Sequence, residues 1–299
     1  MAISKGLLCA AALLGFSASP AFAAPKILFV GNSLDFADWG YARYYKADTV
    51  TDLNGKAANG KTQSGTPGLF KQFAKEAGLD YDVYLETLPG QGLDAHLKTK
   101  RELLDKPWDI VVMHGYTTLD QKNPGDPALL YSTSKEMTEM LRKQNPKVVI
   151  YLSSTYSRPD TTYPAGQHWN GKPIQQMAKD VLAAYVEVAK QNNIPQANII
   201  PLGGAFNRAI DTGFADGNPY DGIEAGKHDL WAWDHYHSSN MGYYIHALVD
   251  FGKITGKDPL SLGPNEDVAE DMGFSPEQAA AMQKIAHDTL ADQQQASAR

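Results

Sequence analysis

The sequence predicts an α/β fold in which a parallel sheet carries helices on both faces. Two observations lead there: short apolar runs alternate with longer stretches of helical period, and the residue types that do chemistry cluster just after those runs. Five runs read as strands: Ile27 to Val30, Tyr81 to Leu88, Trp108 to His114, Lys147 to Ser153 and Asn198 to Leu202. Near-continuous apolar character in such short segments is what a strand buried on both faces requires. Thr66-Pro67 reads as a cap and first-turn proline of a helix that Gly78 closes. Leu93 to Leu104 and Ser134 to Lys143 are shorter helical candidates, and Pro173 to Asn192 repeats its apolar residues near every 3.6 positions. A helix from about Asn240 to Lys253 follows, and Ser275-Pro276-Glu277-Gln278 is a capping-box start for a last one reaching about Leu290. Residues 35–65, 116–131, 154–172 and 207–233 remain as long loops, which compact domains usually reserve for function.

The amino terminus and the composition bound where and on what the chain acts. Lys5 precedes an apolar stretch from Gly6 to Phe16, and Ala21-Phe22-Ala23 has the small-x-small pattern of a signal-peptidase site, so residues 1–23 read as a cleaved leader. Residues 24–299 then read as one catalytic domain of a secreted or periplasmic protein. The leader's apolar core is shorter than the ~20 residues of a retained span, and no later stretch qualifies, so no stable membrane anchor is expected. Cys9, the only cysteine, leaves with the leader, which excludes disulfide and thiol chemistry from the mature chain. Loss of Lys5 takes the formal charge from −7 to −8, and no basic run tracks phosphates, so nucleic acid is not an expected partner.

Ser33 is the leading candidate for chemistry. It lies in Gly31-Asn32-Ser33-Leu34 directly after the first strand, where open α/β sheets build their sites. A serine needs a base held by a third group, and Asp234-His235-Tyr236-His237 near the other end contains both. Pro89-Gly90-Gln91-Gly92 and His114-Gly115-Tyr116 follow the second and third strands, so four segments converge on one edge of the sheet. A right-handed winding sets the first and third strands side by side, with the crevice above them. His228, Asp229, Asp234, His235 and His237 also have spacings that suit zinc, but a metal site leaves the serine motif unexplained, so no metal and no cofactor is inferred.

These motifs resemble those of the SGNH (GDSL-type) hydrolase superfamily. The resemblance rests on Gly31-Asn32-Ser33-Leu34, on Gly90 in a turn, and on Asp234-x-x-His237 followed by Gly242. It implies a three-layer α/β/α sandwich around a flavodoxin-like, five-stranded parallel sheet. It also implies ester or amide hydrolysis through an acyl-enzyme, with Ser33 as nucleophile, His237 as base and Asp234 as its orienting acid. The amides of Ser33 and Gly90 would form an oxyanion hole. Two positions depart from the superfamily pattern: Asn32 stands for its usual aspartate, and His114 lies where an Asn normally donates to the oxyanion. His114 could donate through a ring N–H, or that donor could be missing.

Aromatic residues supply the hint about substrate. Trp39, Tyr116, Tyr163, Trp169 and Trp233 occur in the loops expected around Ser33, interleaved with Asp35, Asp38, Arg43, Arg158 and Asp160. Rings among hydrogen-bonding groups suit a sugar, and Asn32, Tyr116, Trp39, Trp169 and Trp233 are the expected contacts. The reading is therefore a secreted serine carboxylester hydrolase acting on a small-molecule or glycan ester, most simply a carbohydrate acetyl esterase. A lipase, thioesterase or arylesterase of the same fold, or a non-catalytic glycan-binding protein, are the alternatives.

Overall fold

The computed structural model describes residues 23–297; the expected leader lies almost wholly outside the described residues. Six strands form one parallel sheet: β1 (Lys26–Gly31), β2 (Thr51–Asp52), β3 (Asp82–Thr87), β4 (Ile110–Met113), β5 (Val149–Ser153) and β6 (Ile199–Ile200). Their spatial order is β2-β3-β1-β4-β5-β6, so β1 lies between β3 and β4. The chain reverses its direction of winding there, and the crevice at the carboxyl end of β1 is where such sheets hold their sites.

Among the described residues ten α-helices complete the fold: α1 (Gly65–Glu76), α2 (Leu93–Thr99), α3 (Arg101–Leu104), α4 (Ala128–Gln144), α5 (Pro159–Thr162), α6 (Gln175–Gln191), α7 (Leu202–Asp211), α8 (Asn240–Thr255), α9 (Asp267–Asp271) and α10 (Pro276–Ser297). Side chains alternate across a strand, and β1 shows the result directly. Ile27 and Phe29 enter the core shared with α1, α7, α8 and α10, while Leu28 and Val30 enter the one shared with α2, α4 and α6. Both faces are thus covered, which accounts for an apolar run without polar alternation.

The sixth strand is a correction to the expected five. β2 is only Thr-Asp, inside a segment that reads as loop; it pairs with β3 through backbone bonds that no apolar run announces. A second difference is α7. Leu202, Ala205, Phe206 and Ala209 are buried at helical spacing, but Gly203-Gly204 hides the pattern. Gly203 is required there because a Cβ would lie 2.5 Å from the carbonyl oxygen of Thr155. The last helix starts as its capping box predicts: the Ser275 amide donates to Gln278 Oε1 at 3.0 Å, and the Gln278 amide donates to Ser275 Oγ at 3.3 Å.

Two helices bracket the end of β1. α1 begins two residues earlier than expected, at Gly65, whose φ of +59° is left-handed, with Ser64 and not Thr66 at the cap position. A Cβ on Gly65 would fall 1.8 Å from the carbonyl oxygen of Asp35 and 2.5 Å from Cα of Phe36, so backbone meets backbone. α8 is capped by Ser239, which accepts from the Gly242 amide, and it ends at Gly256 in the left-handed region. It packs on α1 and α10, which fixes the loop before it relative to β1.

Gly65→Ala should therefore destabilise the protein by about 2 kcal/mol or more, since strain and overlap act together. Urea unfolding measures this; a change within about 0.5 kcal/mol would mean that the turn after β1 yields freely.

Candidate active site

The turn after β1 is held from beneath. The Asn32 amide donates to Asp35 Oδ2 at 3.0 Å, the Leu34 amide donates to Asn32 Oδ1 at 3.2 Å, and the Asp38 amide donates to the Ser33 carbonyl at 2.9 Å. Asp35 also pairs with His114, its Oδ2 lying 2.6 Å from His114 Nε2. This pair presses on the strand end: a Cβ on Gly31 would come within 1.9 Å of Asp35 Oδ2 and 2.4 Å of His114 Nε2. Only glycine fits, and the glycine before Asn32-Ser33 has its reason in this contact.

Ser33 Oγ lies 2.8 Å from His237 Nε2, and His237 Nδ1 lies 2.6 Å from Asp234 Oδ2. The other carboxylate oxygen, Asp234 Oδ1, accepts the amides of Tyr236 at 3.1 Å and His237 at 3.0 Å. The aspartate thus fixes the backbone and the ring of the histidine three residues on. Burial raises the Asp234 carboxyl, but the hydrogen bonds from the His237 ring and the backbone outweigh it and hold the group below its ordinary value. A carboxylate there accepts the hydrogen bond from Nδ1–H, which leaves the Nε2 lone pair facing the serine hydroxyl. Ser33 and His237 are both buried, so the relay sits at the floor of the crevice. His235 has φ +55° and rests its ring against Tyr220, 4.4 Å between centroids, away from this relay. Among the described residues no three His, Cys, Asp or Glu side chains gather as metal ligands.

Gly90 stands in a left-handed turn after β3. Asn32 Nδ2 donates to the Gln91 carbonyl at 3.1 Å, and the Leu88 amide donates to the Gly31 carbonyl at 3.1 Å, so this turn is tied to the one that carries Ser33. Glu86 and His96, fully buried, bond beneath it.

His114 is the main correction. Its Nε2 is committed to Asp35, its Nδ1 lies 2.8 Å from the Gly115 carbonyl oxygen, and it is buried, so both ring nitrogens are engaged below the crevice. It supports the turn instead of lining an oxyanion hole. Trp169 is the second correction: it is buried, with Nε1 donating to Asp180 Oδ2 at 2.9 Å, and does not reach the rim. Trp39 and Trp233 lie on the surface, and neither lines the pocket described below. They are 59% and 73% exposed and meet edge to face at 5.2 Å. Trp39 has φ +63°, and with Ala37 and His235 it makes three left-handed non-glycine residues beside the relay, where strain of this kind is usually found.

A pocket of about 380 Å³ opens beside the serine turn, with Asn32, Gly90 and Tyr116 on one wall and Arg158, Asp160 and Tyr236 on another. The role of Tyr236 is not signalled by sequence, because it stands between two histidines that draw the eye. Its ring stacks on His237 at 4.2 Å, and the Arg158 guanidinium lies 3.5 Å from the ring centroid.

No protein-family model and no curated protein matches the chain. Solved structures do. A DUF4886 family protein from Bacteroides uniformis superimposes with a TM-score of 0.58 at 17% identity, covering 90% of this chain and 95% of its own. A candidate GDSL-like lipase from Parabacteroides merdae superimposes with a TM-score of 0.53 at 16% identity, covering 78% and 95%. At these identities the likeness is one of fold, and the fold is the SGNH hydrolase fold that the serine motif predicts.

The Asp35–His114 pair has a pH signature. For Asp35 burial raises the carboxyl, but the facing His114 outweighs it and the group stays below its ordinary 3.8. For His114 burial lowers the imidazole, but Asp35 outweighs it and the group stays above its ordinary 6.5. His246 and Asp250 face the pair from α8; burial pushes the former down to about 4 and the latter well above its ordinary 3.8. The Asp35 contribution is complete above 3.8 and lost as pH falls through the lowered value; the His114 contribution is complete below 6.5 and lost as pH rises through the raised one. The stability difference between the wild type and His114→Gln should thus be largest between the ordinary values of the two groups, 3.8 and 6.5, and shrink as pH rises through the raised His114 value. Urea unfolding across that range measures it, and a difference that grows with pH would contradict the ion pair.

Proposed function

We propose that this chain is an exported serine carboxylester hydrolase whose catalytic domain spans residues 24–299, working through an acyl-enzyme on carbohydrate acetyl esters. The observation that carries the reading is the hydrogen-bonded relay of Ser33, His237 and Asp234 beside a polar pocket. Ser33 Oγ attacks the ester carbonyl carbon as His237 Nε2 takes its proton, and Asp234 stabilises the imidazolium. The amides of Ser33 and Gly90 donate to the oxyanion that forms. Collapse breaks the bond to the alcohol oxygen, which leaves with the proton from His237. Water, deprotonated by the same nitrogen, then attacks the acyl-serine and releases the carboxylic acid.

The acyl preference follows from the surroundings. The cavity beside the serine is lined by Thr117, Thr118, Gln121, Arg158, Asp160 and Gln167 and so offers no apolar groove for a long alkyl chain, whose burial there would strip polar groups of water without replacing their hydrogen bonds. A short acyl group avoids that cost. No described helix is long and apolar enough to cross a membrane.

Ser33→Ala and His237→Ala should each reduce turnover by on the order of 10⁶, with little further loss in the double variant, because the groups act as a unit. Asp234→Asn should cost on the order of 10⁴. His235→Ala should cost less than about tenfold, as its ring packs on Tyr220 and the bonds to Ser33 and Asp234 are made by His237. A fluorophosphonate should label Ser33 as read by mass spectrometry, and labelling of another serine, or near-normal activity in Ser33→Ala, would refute the assignment.

Against a series of 4-nitrophenyl esters, acetate should be hydrolysed faster than butyrate, and octanoate hardly at all. A rate that climbs with chain length would point to a lipase-like activity at the same serine.

A further inference from the structure

We propose that the pocket at Arg158 is the subsite for the alcohol half of the ester, and that it takes an uncharged, hydroxylated ring, a pyranose or furanose. This rests on the hydrolase reading above and deepens it.

Position comes first. Asn32 and Gly90 form one wall and Tyr236 another, so a ligand in the pocket shares its walls with the Ser33 turn and the His237 loop. At about 380 Å³ the pocket lies in the ~300–1,000 Å³ range of small-molecule sites. An acetyl group alone would leave most of it empty.

Chemistry selects the occupant. Arg158 Nε donates to Asp160 Oδ1 at 3.0 Å, Nη2 to Asp160 Oδ2 at 2.5 Å, and Nη1 to Thr117 Oγ1 at 2.9 Å. A guanidinium has five N–H donors, so two remain after these bonds, and each carboxylate oxygen of Asp160 keeps a free lone pair. Donors and acceptors therefore lie side by side on one rigid fork. Adjacent hydroxyls, each donor and acceptor at once, match that arrangement. A carboxylate or phosphate does not, because Asp160 already neutralises the arginine and would repel a second anion.

The fork is also fixed in advance. The Arg158 guanidinium rests over the Tyr236 ring, and the Asp160 amide donates to the His235 carbonyl at 3.2 Å. Both halves of the pair are thus anchored to the loop that carries His237. Binding energy gained at the fork can orient the ester carbonyl toward Ser33 without a search for side-chain geometry.

The test compares kcat/KM for an acetylated xylo-oligosaccharide with that for 4-nitrophenyl acetate. In the wild type the sugar ester should be the better substrate. Arg158→Lys and Asp160→Asn should lower the ratio of the two constants by roughly 10- to 100-fold, the loss expected when hydrogen bonds to charged groups are removed. Gln167→Ala, at an exposed position on the pocket mouth where folding is not at risk, should lower the same ratio several-fold. Turnover of 4-nitrophenyl acetate with a ratio that none of the three variants changes overturns the subsite and leaves the relay standing. So does a preference for an ester carrying a carboxylate. A wild type that turns over neither ester and takes no fluorophosphonate at Ser33 overturns both readings.

Discussion

A carboxylate buried beneath the end of the first strand is the constraint on which the rest of the site depends. Asp35 accepts from the Asn32 amide and from His114, and so pulls the chain back under itself within four residues of the strand. That leaves no room for a Cβ at Gly31, and the carbonyl of Asp35 leaves none at Gly65. One residue, through its side chain at Gly31 and its backbone at Gly65, thereby dictates glycine at two places far apart in sequence and docks the first turn of α1 on the serine loop. Its own burial is tolerable because the partner is charged and the amide bond completes its coordination, whereas an unpaired carboxylate there would cost several kcal/mol. The left-handed backbone at Ala37 and Trp39 continues the same tight path.

Bringing Ser33 to His237 is then a matter of packing between helices. The two residues are 204 positions apart, and their contact is set by α1 lying on α8, with Ser239 capping α8 just after the histidine. The loop before that cap is itself pinned: Trp231 pairs with Ser238, and the Ala232 amide donates to the His237 carbonyl at 2.7 Å. Asp234 closes the turn with two backbone bonds and one to the ring. Chemistry and architecture share these atoms, so a change that loosens the loop also disorients the base.

Much of this was legible in the residues, and the rest was hidden for identifiable reasons. Strands β1, β3, β4 and β5 announce themselves because burial on both faces demands apolar runs, and α10 because its capping box is a local device. β2 and α7 do not, since one is two polar residues long and the other opens on a glycine pair needed for close backbone approach. His114 occupies the strand end where a donor is expected, but its partner Asp35 is 79 positions away, and sequence order gives no sign of that pairing. Trp169 shows the limit of reading aromatic loops as rims: its ring completes the core beside α6 and only its N–H needs a polar neighbour. Tyr236 was concealed by its two histidine neighbours, although a ring next to a base is well placed to support it.

The charges around the crevice follow one pattern. Asp35 faces His114 and Asp160 faces Arg158, each acid bonded to its own base. In a chain of formal charge −7, such pairing keeps the field at the crevice far weaker than the surface as a whole would suggest. Strong fields attract ions; a balanced crevice with oriented dipoles suits a neutral ester, in which charge appears only as the carbonyl oxygen becomes an oxyanion. Stabilisation is then concentrated on the transition state, because the ground state offers no charge for the site to bind. The exposed aromatic pair of Trp39 and Trp233, the latter adjoining Asp234 in the chain, adds apolar surface without adding charge.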